Sequence, residues 1–203
     1  AIARLWLLEG HKVKGWTIEQ EVYESITMRD TNEKYLSDHP VPGLDATMHL
    51  DEAMDGSEII VLAVPSSVIL DVMEDVLPHL QPGHVLLDLA KGLAPGKRLI
   101  SEAIHTRLKE EGKANPLAVL TGPTIAPEAA GGVMTTALVA SEDQAIAQRL
   151  AQTLSTPSFI LHPASDPVGA ELWGAYKNVV ALACGLVDGL KQIGDLGGDN
   201  LNC

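Results

Sequence analysis

The sequence predicts an α/β protein built on a doubly wound parallel sheet, followed by the start of an all-helical unit. Three observations predict it. Short apolar runs alternate with helical stretches from Lys12 to Leu161. Two of those runs, Glu58–Val64 and Val85–Leu89, are nearly continuous in apolar residues, the pattern of strands covered on both faces. From Val168 to Leu190 the chain is instead one helical stretch of apolar and small residues with no polar loop inside it. The change of character divides the chain into a sheet unit over 1–164 and the beginning of a helical unit over 165–203.

Each element has its own signal. Ile2–Glu9 reads as a helix stopped by Gly10, and Lys12–Trp16 as a short strand. Ile18–Met28 is helical with a polar face, and Ser37–Asp45, rich in Pro, Asp and His, is a surface loop. The strand Glu58–Val64 is stopped by Pro65, after which Ser66 and Ser67 offer N-caps for a helix to about Val76. The strand Val85–Leu89 leads through Lys91-Gly92-Leu93 to an amphipathic helix over Gly96–Glu111. Leu117–Leu120 is a strand ending at Thr121-Gly122-Pro123, with a short helix beyond it. Thr135–Ala140 and Ser158–Leu161 are strand-like and flank a helix at Ser141–Leu154. In the long helix, Leu172, Tyr176, Val179, Val180, Ala183, Leu186, Val187 and Leu190 follow the helical period, and most other positions are small. A helix apolar or small nearly all round is expected to be buried, as the centre of a helical domain.

The bulk properties bound the function. A length of 203 residues suits one α/β domain and part of another. A formal charge of −13 argues against nucleic acid or an anionic membrane as partner. It leaves room for a phosphorylated ligand held by local lysines and backbone N–H groups. Two cysteines, Cys184 and Cys203, are too few for a disulfide framework, so a reducing cytoplasm is expected. No apolar run is long enough for a membrane span, and the seven histidines are not spaced as metal ligands. The chain does not begin with Met, opens as the back half of a helix and stops without a closing element, so both ends read as cut.

Ligands of doubly wound sheets bind beyond the carboxyl ends of the strands, which singles out Pro65, Lys91 and Gly122. Lys91 can reach a phosphate or an alkoxide there, or be an ordinary loop lysine. Gly122 permits close backbone approach; Thr124 can cap the following helix, offer its hydroxyl to an anion, or belong to a plain turn. Lys177 lies mid-helix with Trp173, Gly174, Val180 and Ala181 as its i±3 and i±4 neighbours, none of them acidic. Desolvation there would lower its pKa, as a general base requires; the alternative is a lysine that snorkels to solvent. Asn178, next to it, can orient a substrate hydroxyl or be a surface amide. Cys184 reads as a small core residue.

Four segments together carry a resemblance: Ile59 to Ser66 (Ile-Ile-Val-Leu-Ala-Val-Pro-Ser), Ala90-Lys91-Gly92-Leu93, Gly122-Pro123-Thr124-Ile125-Ala126-Pro127-Glu128, and Glu171 to Ala181 (Glu-Leu-Trp-Gly-Ala-Tyr-Lys-Asn-Val-Val-Ala). The last continues into Gly185 to Leu190 and Gly198-Asp199-Asn200. The sequence resembles the bacterial-type NAD(P)-dependent glycerol-3-phosphate dehydrogenases from about Leu5 to Asn200, with one short insertion near Gln192–Leu196. The resemblance implies a Rossmann-like sheet followed by a helical domain like that of 6-phosphogluconate dehydrogenase. It implies hydride transfer between NAD or NADP and the C2 carbon linking sn-glycerol 3-phosphate with dihydroxyacetone phosphate, feeding glycerophospholipid synthesis, in a homodimer when full length.

By the same resemblance Lys177 handles the hydroxyl proton and Lys91 lies between substrate and cofactor. Gly122, Thr124 and Asn178 are implied on the substrate side, and Val64, Pro65 and Ala126 along the cofactor. The family's first strand and glycine-rich turn have no counterpart here, Ala1 falling just after them. Its further aspartate and phosphate-binding arginine belong beyond Cys203. Glu19, just after the strand ending at Trp16, leans the cofactor choice toward the free ribose of NAD. A β-hydroxyacid dehydrogenase of the 3-hydroxyisobutyrate type shares the two-unit plan and a helix-borne Lys-Asn, and a non-catalytic truncated remnant is the reading from another class.

Overall fold

The computed structural model describes residues 1–193, with side chains to Leu190. The Gly198-Asp199-Asn200 segment and most of the expected insertion near 192–196 therefore lie outside the described residues.

The chain opens with α1 (Ile2–Leu8), closed as expected by Gly10 at φ +87°, and then β1 (Lys14–Trp16) and α2 (Gln20–Arg29). Next come β2 (Asp45–Thr47) and the one-turn α3 (Leu50–Met54), neither of which the residue pattern announces. The central layer follows: β3 (Ile59–Leu62), α4 (Ile69–Val76), β4 (Val85–Asp88), α5 (Ile100–Glu110) and β5 (Leu117–Thr121). The chain goes on through α6 (Ala126–Ala130), β6 (Thr135–Ala140), α7 (Gln144–Leu154), β7 (Phe159–Ala164) and α8 (Pro167–Ile193).

Five strands form one sheet in the order β3-β4-β5-β6-β7, and β1 pairs with β2 in a separate parallel ribbon. All pairings are parallel except one. β6 runs antiparallel to β5, with Val119 opposite Ala140 and Thr121 opposite Leu138, and β7 then runs parallel to β6. The all-parallel expectation is corrected at this point. Apolar periodicity reports which faces of a strand are covered and carries no information about its direction.

Helices cover both faces. Leu86 and Leu117 point with Ile60 and Leu62 into a core shared with Ile69 and Met73 of α4 and Ile100 and Ile104 of α5. Val85, Leu87, Ala118 and Leu120 point the other way, onto Leu5 and Trp6 of α1 and Leu150 and Leu154 of α7. Every residue of β4 is buried, as its apolar run foretold, and so is every residue of β5. β3, expected to be covered on both faces, is buried only at Ile60 and Leu62 because it is the edge strand of the five-stranded sheet. Trp6 also ties the two ends of this layer together, its indole N–H donating to the Leu154 carbonyl at 3.0 Å.

Two local expectations fail for reasons of backbone geometry. Ser66 and Ser67 do not cap α4, whose N-cap position is Val68, because the Pro65 carbonyl receives the Val68 N–H and spends those residues on a turn. The helix expected from Gly96 starts only at Ile100, since Gly96 and Lys97 both have positive φ (79° and 62°) and form a turn instead.

The largest correction concerns α8. Its first turns pack on β5, β6 and α5, but Tyr176, Val179, Val180, Leu182 and Leu186 are exposed, Leu182 at 76%. An all-apolar helix is buried only where another surface meets it, and no described element covers this part. Among the described residues no helix is long and apolar enough to cross a membrane.

Candidate active site

Because β3, β4 and β5 are parallel neighbours, their carboxyl ends share one edge, and the residues singled out by sequence gather there. Val64, half-buried, and Pro65, exposed, follow β3. Lys91 and Gly92 follow β4. Gly92 has φ +118°, and a Cβ there would come within 3.2 Å of Ser66 Oγ. Only glycine satisfies both conditions, so the β3 and β4 loops meet at Gly92.

Gly122 follows β5. A Cβ there would sit 2.9 Å from the Ala137 Cα and 3.0 Å from the Thr136 carbonyl of β6, so packing alone requires glycine. The Thr124 N–H donates to the Gly122 carbonyl at 2.8 Å, which makes the turn tight. Thr124 is half-buried and does not cap α6; Ile125 occupies that position without a side-chain hydrogen bond. Ala126, the first residue of α6, is exposed on the same edge.

α8 brings the remaining candidates. Gly174 lies directly against Thr121, the last residue of β5, where any Cβ would collide with the threonine hydroxyl oxygen. Lys177 and Asn178 come one turn later, both exposed. The buried setting expected for Lys177 is thus not supplied by the described residues. Partial burial and then the nearby Lys177 ammonium hold the Lys91 pKa below the usual lysine range. Neither lysine has a carboxylate ion-pair partner among the described residues. Two lysines at one edge without an ion-pair partner among the described residues suit an anionic ligand.

Two carboxyl groups under this edge escaped the sequence reading. Asp88, the last residue of β4, is fully buried. Its Oδ1 accepts the Ala90 N–H at 2.9 Å, while Oδ2 is buried with no partner among the described residues. Burial pushes its pKa up to about 7, the Ala90 N–H opposing and neighbouring Glu171 adding to the rise. Glu171 of α8, 3% exposed, accepts from Ser101 Oγ and from the Ile100 and Ser101 N–H groups at the start of α5. An acidic residue inside an otherwise apolar run was the available signal for both. The Glu19 carboxylate takes the Lys34 ammonium at 2.6 Å and the Tyr35 hydroxyl at 2.7 Å, which lower its pKa.

A doubly wound sheet with ligand-facing loops at one edge, met there by a lysine from a following helix, defines the class of dinucleotide-binding α/β proteins with an appended helical unit. Comparison with known proteins narrows the class. The family profile described as NAD-dependent glycerol-3-phosphate dehydrogenase N-terminus matches residues 1–147, and that of the C-terminus matches 166–201. The chain belongs to the NAD-dependent glycerol-3-phosphate dehydrogenase family. It is 36% identical over 192 residues to a glycerol-3-phosphate dehydrogenase [NAD(P)+] of Clostridium acetobutylicum, covering 94% of this chain and 57% of that one. With the Exiguobacterium enzyme of the same name the identity is 38% over 192 residues, covering 94% and 56%. The crystal structure of a glycerol-3-phosphate dehydrogenase from Coxiella burnetii superimposes with a TM-score of 0.84 at 30% identity, over 98% of this chain and 59% of that one. The chain thus spans rather more than half the length of the curated relatives it matches. The family match favours the first of the two enzyme readings over the 3-hydroxyisobutyrate type.

Proposed function

We propose that this chain supplies the cofactor edge and the proton-handling lysine of an NAD(P)-dependent glycerol-3-phosphate dehydrogenase, with 1–164 as the cofactor unit and 165–203 opening the substrate unit. The reaction interconverts sn-glycerol 3-phosphate and dihydroxyacetone phosphate. The observation that carries this reading is the seating of Gly174 of α8 against Thr121 at the end of β5, which puts Lys177 one turn beyond the edge that holds the Lys91 loop, on a chain whose relatives are named for that activity.

The nicotinamide cofactor, when bound, supplies and receives the hydride at C2. Lys177, as the neutral amine, accepts the proton of the C2 hydroxyl; as the ammonium it polarises the ketone and returns that proton. Lys91, kept close by the Gly92 turn, adds positive charge between the two ligands. Gly122, Thr124 and Asn178 border the substrate, and Val64, Pro65 and Ala126 border the cofactor, without side-chain bulk at the glycines. A reducing cytoplasm, a role in supplying glycerophospholipid synthesis and a homodimeric full-length protein belong to the same reading.

The test is oxidation of NADH by the full-length protein with dihydroxyacetone phosphate, compared with a β-keto acid semialdehyde. Turnover with the phosphate ester is expected, and Lys177→Ala should lower kcat on the order of a thousandfold with the fold intact. Near-normal turnover by the variant, or preference for the semialdehyde, would refute the assignment. If NADH fluorescence and melting temperature stay unchanged at millimolar-scale cofactor, the chain is a non-catalytic remnant.

A further inference from the structure

We infer that Glu171 is the positioning residue of this site: by capping α5 from α8, it fixes the height and rotation of α8 and thereby the place of Lys177 at the edge where the Lys91 loop stands. The inference rests on the proposed dehydrogenase reading for its significance and on local geometry for its substance.

α5 begins at Leu99 and Ile100 without a side-chain cap of its own. Its first N–H groups have no partner within the helix and need one from elsewhere. Glu171, some 70 residues later in sequence, meets that need with both oxygens: Oε1 takes the Ile100 N–H, and Oε2 takes Ser101 Oγ and, at 3.3 Å, the Ser101 N–H. A carboxyl at a helix N-terminus is also favoured by the helix dipole. The group is almost fully buried, and a buried carboxyl stripped of its hydrogen bonds is costly. Sliding or turning α8 would strand it.

A second contact removes the remaining freedom. Three residues on, Gly174 has no room for a Cβ against Thr121. One contact to α5 and one to β5 hold a single pose of the helix. Lys177 comes three residues after Gly174, on the turn that leaves the sheet edge. A slip of one turn would move it by about 5.4 Å along the helix axis, off the turn that now stands beyond Thr121. Asp88, which anchors the Lys91 loop through Ala90, lies close enough to Glu171 to feel its charge. The supports of the two lysines are therefore neighbours.

The test follows the Lys91 and Lys177 side-chain amines by NMR titration in the full chain, with amide exchange at Ile100 and Ser101. In E171A, exchange at both amides should rise about tenfold, the scale of one lost hydrogen bond. Lys91 should titrate at higher pH than in the parent as the Lys177 ammonium moves away. E171Q keeps one acceptor and should restore part of both effects. S101A removes one bond from the opposite side and should shift Lys91 in the same direction by less. An unmoved Lys91 in a folded E171A overturns the inference; if E171A does not fold, an unmoved Lys91 in S101A overturns it. Neither titration needs turnover, so an inactive chain can still pass. In an active full-length protein, E171A should lower kcat far more than it raises the KM for NADH.

Discussion

The sheet edge and helix α8 hold the proposed site residues in opposite ways. Lys91 and Gly122 stand on loops rooted in β4 and β5, whose every residue is buried between two helical layers. Lys177 stands on a helix fixed only near its start, whose apolar residues beyond Gly174 are largely exposed. Precision on the sheet side comes from many weak apolar contacts. On α8 it comes from two specific ones, Glu171 on α5 and Gly174 on Thr121. Polar and steric contacts set a pose sharply but add little stability; dispersed apolar burial does the reverse.

The same substitution in the two regions tests this contrast at its extremes. Leu87, fully buried in β4, should lose about 3–5 kcal/mol on change to Ala, read as a fall in the urea midpoint. A smaller loss would show that the sheet is not the rigid partner. A finer probe is Asp88→Asn. Because the folded-state pKa of Asp88 lies above its ordinary 3.8, at about 7, the folded state favours the protonated acid. Its contribution is therefore full below pH 3.8, declines as pH rises through about 7, and stays lost above that. The decline amounts to roughly 4 kcal/mol if the whole difference is expressed. Unfolding of D88N from pH 4 to 8 should lack this component, and identical pH dependence in parent and variant would contradict the buried-acid account. The smallest effect belongs to Leu186→Ala on α8, 67% exposed, which should change stability by less than about 0.5 kcal/mol in this chain. A cost comparable with that of Leu87→Ala would mean that the exposed face of α8 is covered in solution.

The strands most legible in the sequence were those with apolar runs, Ile59–Leu62, Val85–Asp88 and Leu117–Thr121, whose residues feed the cores on the two faces of the sheet. β2 and α3 were not legible, because three and five residues are too few to show a period. Among site residues, Lys91 and Gly122 could be placed because position after a buried strand is itself the signal. The role proposed for Lys177 comes from the family resemblance, and its exposure departs from expectation because helix composition describes what a helix can bury and not what lies beside it. Glu171 stands in the Glu-Leu-Trp-Gly segment with nothing in the neighbouring residues to give it a task. Its partners, Ile100 and Ser101, are remote in sequence and show no capping pattern of their own.

The reversal between β5 and β6 has a consequence for how the helix arrives. With β6 and β7 running opposite to β3–β5, the chain leaves β7 at Ala164 on the side of the sheet away from Lys91 and Gly122. α8 must then travel back alongside β5, passing Val119 near its start and reaching Thr121 by Gly174. Its third turn thus emerges at the loops, pointed outward with the lysine aboard. A sheet with every strand in the same sense would have released the helix at the loops and sent Lys177 away from them. One inverted strand pairing converts an exit into an approach.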